Sequence, residues 1–239
     1  MPDMKVMRTY DILDYVKRRR RCTVKELMRR FRASSATIHR DIAALCAQNA
    51  VERIRGGIVW NDAPAAKPGA ADYQDRVITN RAAKEKIAGR AVGLVAEGDI
   101  LFLDSSTTVL AFAIRLRQQN FDHLTILTNS VSIIQNFRKF PQHWVLIGLG
   151  GNYDPQLNSI LGAAALEQLA NFNVTKAFVS AFGVDDKTAT TNHERQAELV
   201  RRVLAAADRR YLLVDRTKFG RKGLYRLSAC GAFDAIVTA

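Results

Sequence analysis

Several features that mark particular protein classes are missing from this chain of 239 residues. Its three cysteines, Cys22, Cys46 and Cys230, lie far apart in no C-x-x-C or cysteine-histidine cluster, which argues against a disulfide framework and a zinc site. No apolar run approaches the roughly 20 residues of a membrane span, and the first residues lack a signal-peptide pattern. We therefore expect a cytoplasmic protein without a metal site or a membrane partner.

Acidic residues are also scarce relative to basic ones. The chain has 36 Lys and Arg against 23 Asp and Glu, a formal net charge of +13, of which +8 falls within residues 1–60. Charge of this sign favours a polyanionic partner, nucleic acid before an anionic membrane. The uneven distribution predicts a nucleic-acid-binding module in the first quarter of the chain.

The first sixty residues carry the pattern of three short helices. Apolar residues recur at helical spacing at positions 6, 10, 13 and 16, ahead of the basic run 18–21. Thr23 and Glu26 are spaced as a capping box for a second helix. The stretch "SSATIHRDIAAL" (34–45) predicts a third helix, which Ser34 or Ser35 would cap. It places Ile38, Ile42 and Leu45 on its buried face and Thr37, His39 and Arg40 on another.

A possible two-stranded wing follows the third helix, with strands at 51–55 and 58–60 around Gly56-Gly57. Three helices and a wing predict a winged helix-turn-helix, whose third helix enters the DNA major groove. Hydroxyls and free amides at its start suit phosphates, while His39 and Arg40 can reach base edges; Asp41 is expected to be structural. The predicted DNA-binding residues are Ser34, Ser35, Thr37, His39, Arg40, Arg55, Gly56 and Gly57.

The remainder of the chain has a different texture. Residues 61–75, rich in small residues and proline at their start, predict a linker between a first domain at 1–60 and a second at 76–239. In the second domain, helical patterns alternate with short apolar runs. That alternation predicts an α/β fold on a mostly parallel sheet. The predicted strands are 100–104, 124–129, 144–150, 176–183, 211–215 and 235–239.

Small polar residues follow several of these strands, where open α/β sheets bind ligands. "LFLDSSTTV" (101–109) runs from a strand through Asp104 and four hydroxyl residues into a helix, which favours an anion site. Asn129 ends the next strand, Gly150 and Gly151 follow the third, and Lys218 stands just past a later one. No G-x-G-x-x-G or G-x-x-x-x-G-K-[ST] motif is present, so we expect no nucleotide cofactor.

Taken together, these motifs resemble the DeoR family of bacterial transcriptional regulators over nearly the whole chain. They fall in family order: "TIHRDIAAL", "RIRGG", Arg76 and Lys84 with "KIA", "LDSSTT", "TNS", "LGGNY", Ser159 with Gly162, and "VDRTKFG". The resemblance implies a second domain with the ribose-phosphate isomerase and glucosamine-phosphate deaminase fold, its chemistry lost, that senses phosphorylated sugars or related metabolites. The implied effector-binding residues are Lys84, Asp104, Ser105, Ser106, Thr107, Thr108, Asn129, Gly150, Gly151 and Lys218.

This sequence departs from the family pattern at a few positions. His39 stands where the family usually has arginine, and Ser106 where its phosphate loop has glycine. Asp154 replaces a frequent arginine, and Gln196 and Val200 replace a glutamate and a lysine. Four of these five changes fall in the implied effector pocket.

The family implies a repressor of a carbohydrate-catabolic operon that binds double-stranded operator DNA as a homodimer or homotetramer and is released by a sugar phosphate. We expect no cofactor and no catalytic residues. The alternative from another class is a sugar-phosphate isomerase or deaminase with a DNA-binding appendage, for which the acid-base candidates are Asp104, His193, Glu194 and Glu198. A third possibility is a DNA-binding regulator that needs no ligand.

Overall fold

A computed structural model of the protein describes residues 3–47, 51–60 and 73–239. They form two compact units, one ending at Ile78 and the other beginning at Thr79. Residues 61–72 of the predicted linker lie outside the described residues. Within the described ranges, no helix is long and apolar enough to cross a membrane.

The first unit contains the three predicted helices and the wing. The helices are α1 (Asp3–Arg19), α2 (Val24–Phe31) and α3 (Ser35–Ala47). Strand β1 (Arg21–Thr23) lies between α1 and α2, and strands β2 (Val51–Ile54) and β3 (Gly57–Trp60) follow α3. The strands are antiparallel in the order β1-β3-β2. The predicted winged helix-turn-helix is thereby confirmed. Strand β1 was not predicted, because three residues are too few to show a strand pattern.

A small core holds the first unit together. The predicted apolar face of α3 is buried: Ile38, Ile42 and Leu45 have no exposed surface. Thr23 and Glu26 form the predicted capping box at the start of α2, the Glu26 amide donating to Thr23 Oγ1 and the Thr23 amide to Glu26 Oε2. The Thr23 amide and, second to it, the Thr23 hydroxyl donate hydrogen bonds to the Glu26 carboxylate, and both lower the pKa of that carboxyl below its usual range.

Residues 73–75, placed in the linker by the sequence pattern, belong instead to a further helix, α4 (Tyr73–Ile78). Tyr73 and Val77 lie one turn apart in this helix and are both buried. The sequence did not indicate this helix, because it has only two apolar positions and follows a stretch rich in proline and alanine.

The second unit is an α/β domain built on one parallel sheet. Its strands lie in the order β14-β12-β9-β4-β5-β6 and correspond to the six predicted strands. They are β4 (Ile100–Leu103), β5 (Thr125–Thr128), β6 (Val145–Gly148), β9 (Val174–Val179), β12 (Ala207–Leu213) and β14 (Ala235–Val237). Helix α5 (Arg81–Val92) precedes β4 in the chain, and the helices between the strands are α6 (Thr107–Leu116), α7 (Val131–Asn136), α8 (Ala163–Leu169) and α9 (Glu194–Ala206).

Two small antiparallel sheets accompany the main sheet and were not predicted. One pairs β7 (Asn152–Asp154) with β8 (Ser159–Leu161), and the other joins β10 (Gly183–Val184), β11 (Thr188–Thr191) and β13 (Tyr225–Ala229) in that order. Their strands are short and rich in Thr, Ser, Asn and Gly, so they lack the apolar runs that revealed the main sheet.

The strand order of the second unit has a topological switch point, where a ligand-binding crevice is expected. From the central strand β4 the chain proceeds through β5 to β6 on one side, whereas β9, β12 and β14 lie on the other. The switch in direction therefore falls between β4 and β9. Ligands of open α/β sheets bind at such a switch point, outside the carboxyl ends of the strands.

Candidate functional site

The exposed face of α3 is narrow and continuous. Ser35, Ala36, His39, Arg40 and Ala43 are exposed and recur at the spacing of one helix face. The two long polar side chains lie between two alanines, so a flat or grooved partner can approach the helix backbone closely. Thr37 is half-buried at the margin of this face. The structure thus gathers four predicted DNA-binding residues on one surface.

Ser34 rather than Ser35 caps this helix. The Thr37 amide donates to Ser34 Oγ at 3.3 Å, and the two hydroxyls lie 2.8 Å apart. Ser35 is the first residue of α3, where backbone amides have no partner within the helix. An exposed, positive helix end of this kind can receive a phosphate.

Basic and acidic side chains of the first unit are distributed unequally. All twelve Lys and Arg side chains whose burial the structure describes between Lys17 and Arg55 are exposed. The acids are mostly occupied: Asp41 is fully buried against Arg8, at 2.5 Å from Nε, and Asp14 pairs with Arg18 at 2.8 Å. Asp41 therefore ties α3 to α1, as expected of a structural residue. The solvent-facing field of this unit is positive.

The wing glycines have structural reasons for being there. Gly56 has φ +80° in the tight turn between β2 and β3, which favours glycine. Gly57 is buried, and a Cβ on it would stand 2.2 Å from the Cys22 carbonyl oxygen, so a side chain would push β1 away from β3. Arg55 is exposed in the same turn. DNA contacts by these three residues stay predictions.

Asp104 is held by backbone amides at the switch point of the second unit. It is 2% exposed, and its carboxylate accepts from the Ser106 amide on Oδ1 and the Ser180 amide on Oδ2, both at 2.8 Å. The carboxylate thereby joins the end of β4 to the end of β9. Each oxygen accepts a backbone hydrogen bond, so Asp104 acts as a clamp between the two strand ends. Effector binding by Asp104 stays a prediction.

Ser106 caps helix α6 and opens it toward the crevice. Its Oγ accepts from the Val109 amide at 3.2 Å, and its φ of −71° is one that any residue adopts. Thr107 and Thr108 are the first two residues of α6, where backbone amides have no partner within the helix. These amides and the neighbouring hydroxyl residues form a positive helix end that suits an anion.

Asn129 lies at the end of the neighbouring strand β5 and is 2% exposed. Its Nδ2 donates to Ser159 Oγ at 2.7 Å, while its Oδ1 is buried with no partner among the described residues. An unpaired buried oxygen costs on the order of 1–3 kcal/mol, which a ligand donor could recover. Ser159 was not predicted to be part of the site; only its place in the family pattern pointed to it.

The glycines after β6 allow close backbone packing. Gly151 has φ +143°, and a Cβ there would lie 2.7 Å from the Leu161 carbonyl oxygen. The Gly150 amide donates to Gln168 Oε1 at 2.7 Å. A cleft of about 270 Å³ adjoins this segment, lined by residues 152–156, Leu161 and Arg195. No sequence pattern indicated this cleft.

The two predicted lysines lie in elements that are joined at the carboxyl edge of the sheet. Asn80, just before α5, donates from Nδ2 to Thr217 Oγ1 at 3.0 Å, directly after β12. Lys84 is buried one turn into α5, and Lys218 lies beside Thr217 with Nζ 5.8 Å from the centre of the Phe182 ring. Asn80 therefore ties the start of the helix that carries Lys84 to the turn that carries Lys218. Nothing in the sequence indicated this role.

The acid-base candidates of the enzyme alternative differ in burial and in hydrogen bonding. Asp104 serves two backbone amides, whereas Glu194 and Glu198 are exposed on α9, which His193 precedes. At the family-variant positions, Gln196 accepts from Thr191 Oγ1 at 2.6 Å, Val200 is buried, and Asp154 accepts from the Leu157 amide. Among the described residues, no three His, Cys, Asp or Glu side chains are placed to hold a metal ion.

Comparison with protein families gives two matches that together span most of the chain. A model described as "DeoR-like helix-turn-helix domain" matches residues 8–63, and one described as "DeoR C terminal sensor domain" matches residues 79–239.

Two curated relatives are similar along almost their full length. The chain is 31% identical over 237 residues to the HTH-type transcriptional regulator IolR of Bacillus subtilis, covering 99% of this chain and 92% of that protein. It is 27% identical to the glycerol-3-phosphate regulon repressor of Escherichia coli, covering 95% and 88%. Among solved structures, ribose 5-phosphate isomerase A of Methanocaldococcus jannaschii has a TM-score of 0.43 at 19% identity, over 59% of this chain and 55% of that one.

Proposed function

The chain belongs to the DeoR family of transcriptional regulators, and on that premise we propose that it represses a carbohydrate-catabolic operon and is released from the operator by a phosphorylated sugar or a related metabolite. The observation that carries the proposal is the exposed stripe of α3, where His39 and Arg40 stand between two alanines in a unit with a positive surface. A recognition helix needs this combination of reach, close approach and charge.

Each part of the stripe has a role in this proposal. The amides and hydroxyls at the start of α3 contact phosphates and set the register of the helix in the groove. His39 and Arg40 then read base edges. Two copies of the chain present their α3 helices to half-sites about one helical turn apart, or a multiple of that distance, as a homodimer or within a homotetramer.

The effector binds, in this proposal, at the carboxyl edge of the second unit. A phosphate group sits on the amides of Thr107 and Thr108 at the positive end of α6, and a hydroxyl of the ligand donates to the unpaired Asn129 Oδ1. Lys84 and Lys218 supply positive charge along the same edge. Binding shifts operator affinity by about 5-fold to 150-fold, the range of ordinary allosteric coupling.

We also propose that the protein does not turn its ligand over. Both oxygens of Asp104 accept backbone hydrogen bonds, which holds the carboxylate in place as a structural clamp. An isomerase or deaminase needs an acid or base within hydrogen-bond reach of the substrate proton. Incubating the protein with sugar phosphates and following them by NMR tests this: substrate loss that depends on Glu194 or Glu198 would restore the enzyme alternative.

Fluorescence anisotropy tests the main proposal. Labelled duplexes from upstream of the protein's own gene and neighbouring operons are titrated at near-physiological salt with excess competitor DNA, then with a panel of sugar phosphates and the matching free sugars. We expect tight binding that one phosphorylated compound weakens. Tight binding that no compound changes would support the regulator without a ligand, and absence of specific binding would contradict the proposal.

Matched variants separate the two sites in the same experiment. Thr107→Val removes a hydroxyl at constant shape and should weaken the response to the effector without changing operator affinity. Arg30→Ala removes one exposed charge from α2 and should weaken binding to every duplex alike, because it acts through the phosphates only. Sedimentation velocity of the full chain with and without the duplex measures the oligomeric state.

A further inference from the structure

The wing holds one ring nitrogen of His39. Arg53 Nη2, on β2, lies 3.1 Å from His39 Nδ1 on α3. Arg53 is opposite Ile58 in the β2-β3 ladder, and Ile58 has no exposed surface, so the backbone that carries the arginine is anchored in the core. The contact thus joins a fixed strand to the exposed stripe of the helix.

This contact determines the tautomer of His39. A guanidinium group has donors and no acceptor, so His39 Nδ1 must accept the hydrogen bond. A neutral imidazole that accepts at Nδ1 carries its hydrogen on Nε2. His39 therefore presents a donor at the far side of its ring. The DeoR family usually has an arginine at this position, which carries donors whatever surrounds it, whereas a neutral imidazole has a single donor whose place depends on its neighbour.

We propose that Arg53 is a positioning residue that fixes His39 as an Nε2 donor, and that His39 thereby reads a guanine at one base pair of each operator half-site. The inference rests on the proposed function, since it requires α3 to enter the major groove. It extends that function by naming the base and by giving the wing a part in sequence reading beyond phosphate contact.

Guanine is favoured by the charges around His39. In the major groove guanine offers two acceptors, N7 and O6, whereas adenine pairs its N7 acceptor with an N6 amino donor. Two guanidinium groups, Arg40 on the same exposed face and Arg53 in contact, add donors beside the imidazole. Donors beside an amino group repel it, and donors beside O6 can bind it. The local charge therefore selects the edge with two acceptors.

Selection followed by single-atom substitution tests the inference. The full chain first enriches binding sequences from a randomised duplex library, which yields the half-site. Each selected guanine is then replaced in turn by 7-deazaguanine, which lacks the N7 acceptor. For the wild type we expect one position per half-site at which affinity falls about 3-fold to 10-fold, the size of a single net hydrogen bond.

Substitutions at Arg53 and His39 then form a cycle. Arg53→Met should abolish the 7-deazaguanine effect at that position, because the imidazole is no longer held as an Nε2 donor, and Arg53→Lys should restore part of it. The glutamine of His39→Gln has an amide donor that does not depend on a contact with Arg53. The 7-deazaguanine effect should therefore persist in His39→Gln and in the double variant with Arg53→Met. Arg55→Met removes a charge from the same wing and should weaken binding to all duplexes while leaving the 7-deazaguanine effect intact.

Several results would overturn the inference. One is an Arg53→Met variant that binds guanine and 7-deazaguanine duplexes with the same ratio as the wild type, since Arg53 would then contact phosphates only. Another is a set of selected half-sites in which no guanine, when replaced by 7-deazaguanine, lowers the affinity of the wild type. Failure of the wild type to enrich any sequence would overturn the proposed function itself. That outcome is distinguishable from the other two, because both of those are observed only after a half-site has been selected.

Discussion

Helices α3 and α6 begin in the same way, with a serine that caps the amides of the first turn. Each helix follows a serine whose hydroxyl accepts from an amide in the first turn, Ser34 from Thr37 and Ser106 from Val109. Each has further hydroxyl residues around that serine, and each leaves a positive helix end open. The two junctions differ in what surrounds them.

Solvent exposure separates the two junctions. Ser34 and Ser35 are exposed, in a unit whose basic side chains face the solvent, whereas Ser105, Thr107 and Thr108 are buried at the edge of a parallel sheet. An exposed positive helix end is accessible to DNA, which carries a phosphate at each nucleotide. An enclosed helix end has room only for a small anion. In the proposed function, the same local sequence therefore binds DNA at α3 and a small anion at α6, because the rest of the fold exposes one helix start and buries the other.

The largest expected effect comes from removing the clamp that only the enclosed junction has. Asp104→Ala leaves two buried amides without their charged acceptor, so we expect the free energy of unfolding of the second unit to fall by about 3–5 kcal/mol. Urea unfolding followed by Trp144 fluorescence in a Trp60→Phe background reports on this unit. Asp154→Ala, which removes one side-chain bond to the Leu157 amide, is the control and should cost about 1 kcal/mol. Equal losses in both variants would contradict the clamp.

The exposed junction depends on a buried ion pair behind the helix. Asp41→Ala leaves Arg8, whose side chain is 16% exposed, without its partner. We expect a loss of about 2–3 kcal/mol in the stability of the first unit, less than for a fully buried pair because water reaches the arginine. Trp60 fluorescence in a Trp144→Phe background measures it. Asp14→Ala, at the exposed pair with Arg18, should change stability by less than about 0.5 kcal/mol.

Features that depend on local sequence patterns could be predicted from the sequence. Helical periodicity located α1 to α3, and apolar runs located all six strands of the main sheet. The partners of Asp104 and Asn129 could not be predicted, because Ser180 and Ser159 are distant in the chain and meet these residues only through the strand order. The contact between Arg53 and His39 was missed for the same reason: it crosses from the wing to the helix.

The proposed base reading by α3 predicts a smaller effect. Arg40→Ala should lower specific operator affinity by about 1–3 kcal/mol and relax the sequence preference at one position. The phosphate contacts stay, so affinity for random DNA should change only as much as it does in Arg30→Ala. Competition anisotropy with specific and random duplexes measures both. Undiminished specific affinity would exclude Arg40 from base reading.

Substitutions of the two capping serines should have the smallest effects on stability, and they compare the two helix starts directly. Ser34→Ala should cost about 1 kcal/mol of stability in the first unit, since alanine cannot accept from the Thr37 amide. Ser106→Gly, which restores the residue usual in the DeoR family, should cost only a few tenths of a kcal/mol, because glycine is a tolerated cap and φ −71° strains neither residue.

The ligand response to Ser106→Gly then decides what the serine does at the enclosed junction. Its hydroxyl is directed to the Val109 amide and its own amide to Asp104, so the side chain neither contributes to nor blocks the seat at Thr107 and Thr108. Freeing the Val109 amide adds one donor, and we expect affinity for inorganic phosphate, measured by calorimetry, to rise by no more than about 3-fold. Ser130→Gly, the equivalent cap of α7 on the Ile133 amide, should leave it unchanged. A rise of tenfold or more would mean that the serine excludes phosphate, and that this chain has adapted the crevice to a less charged effector.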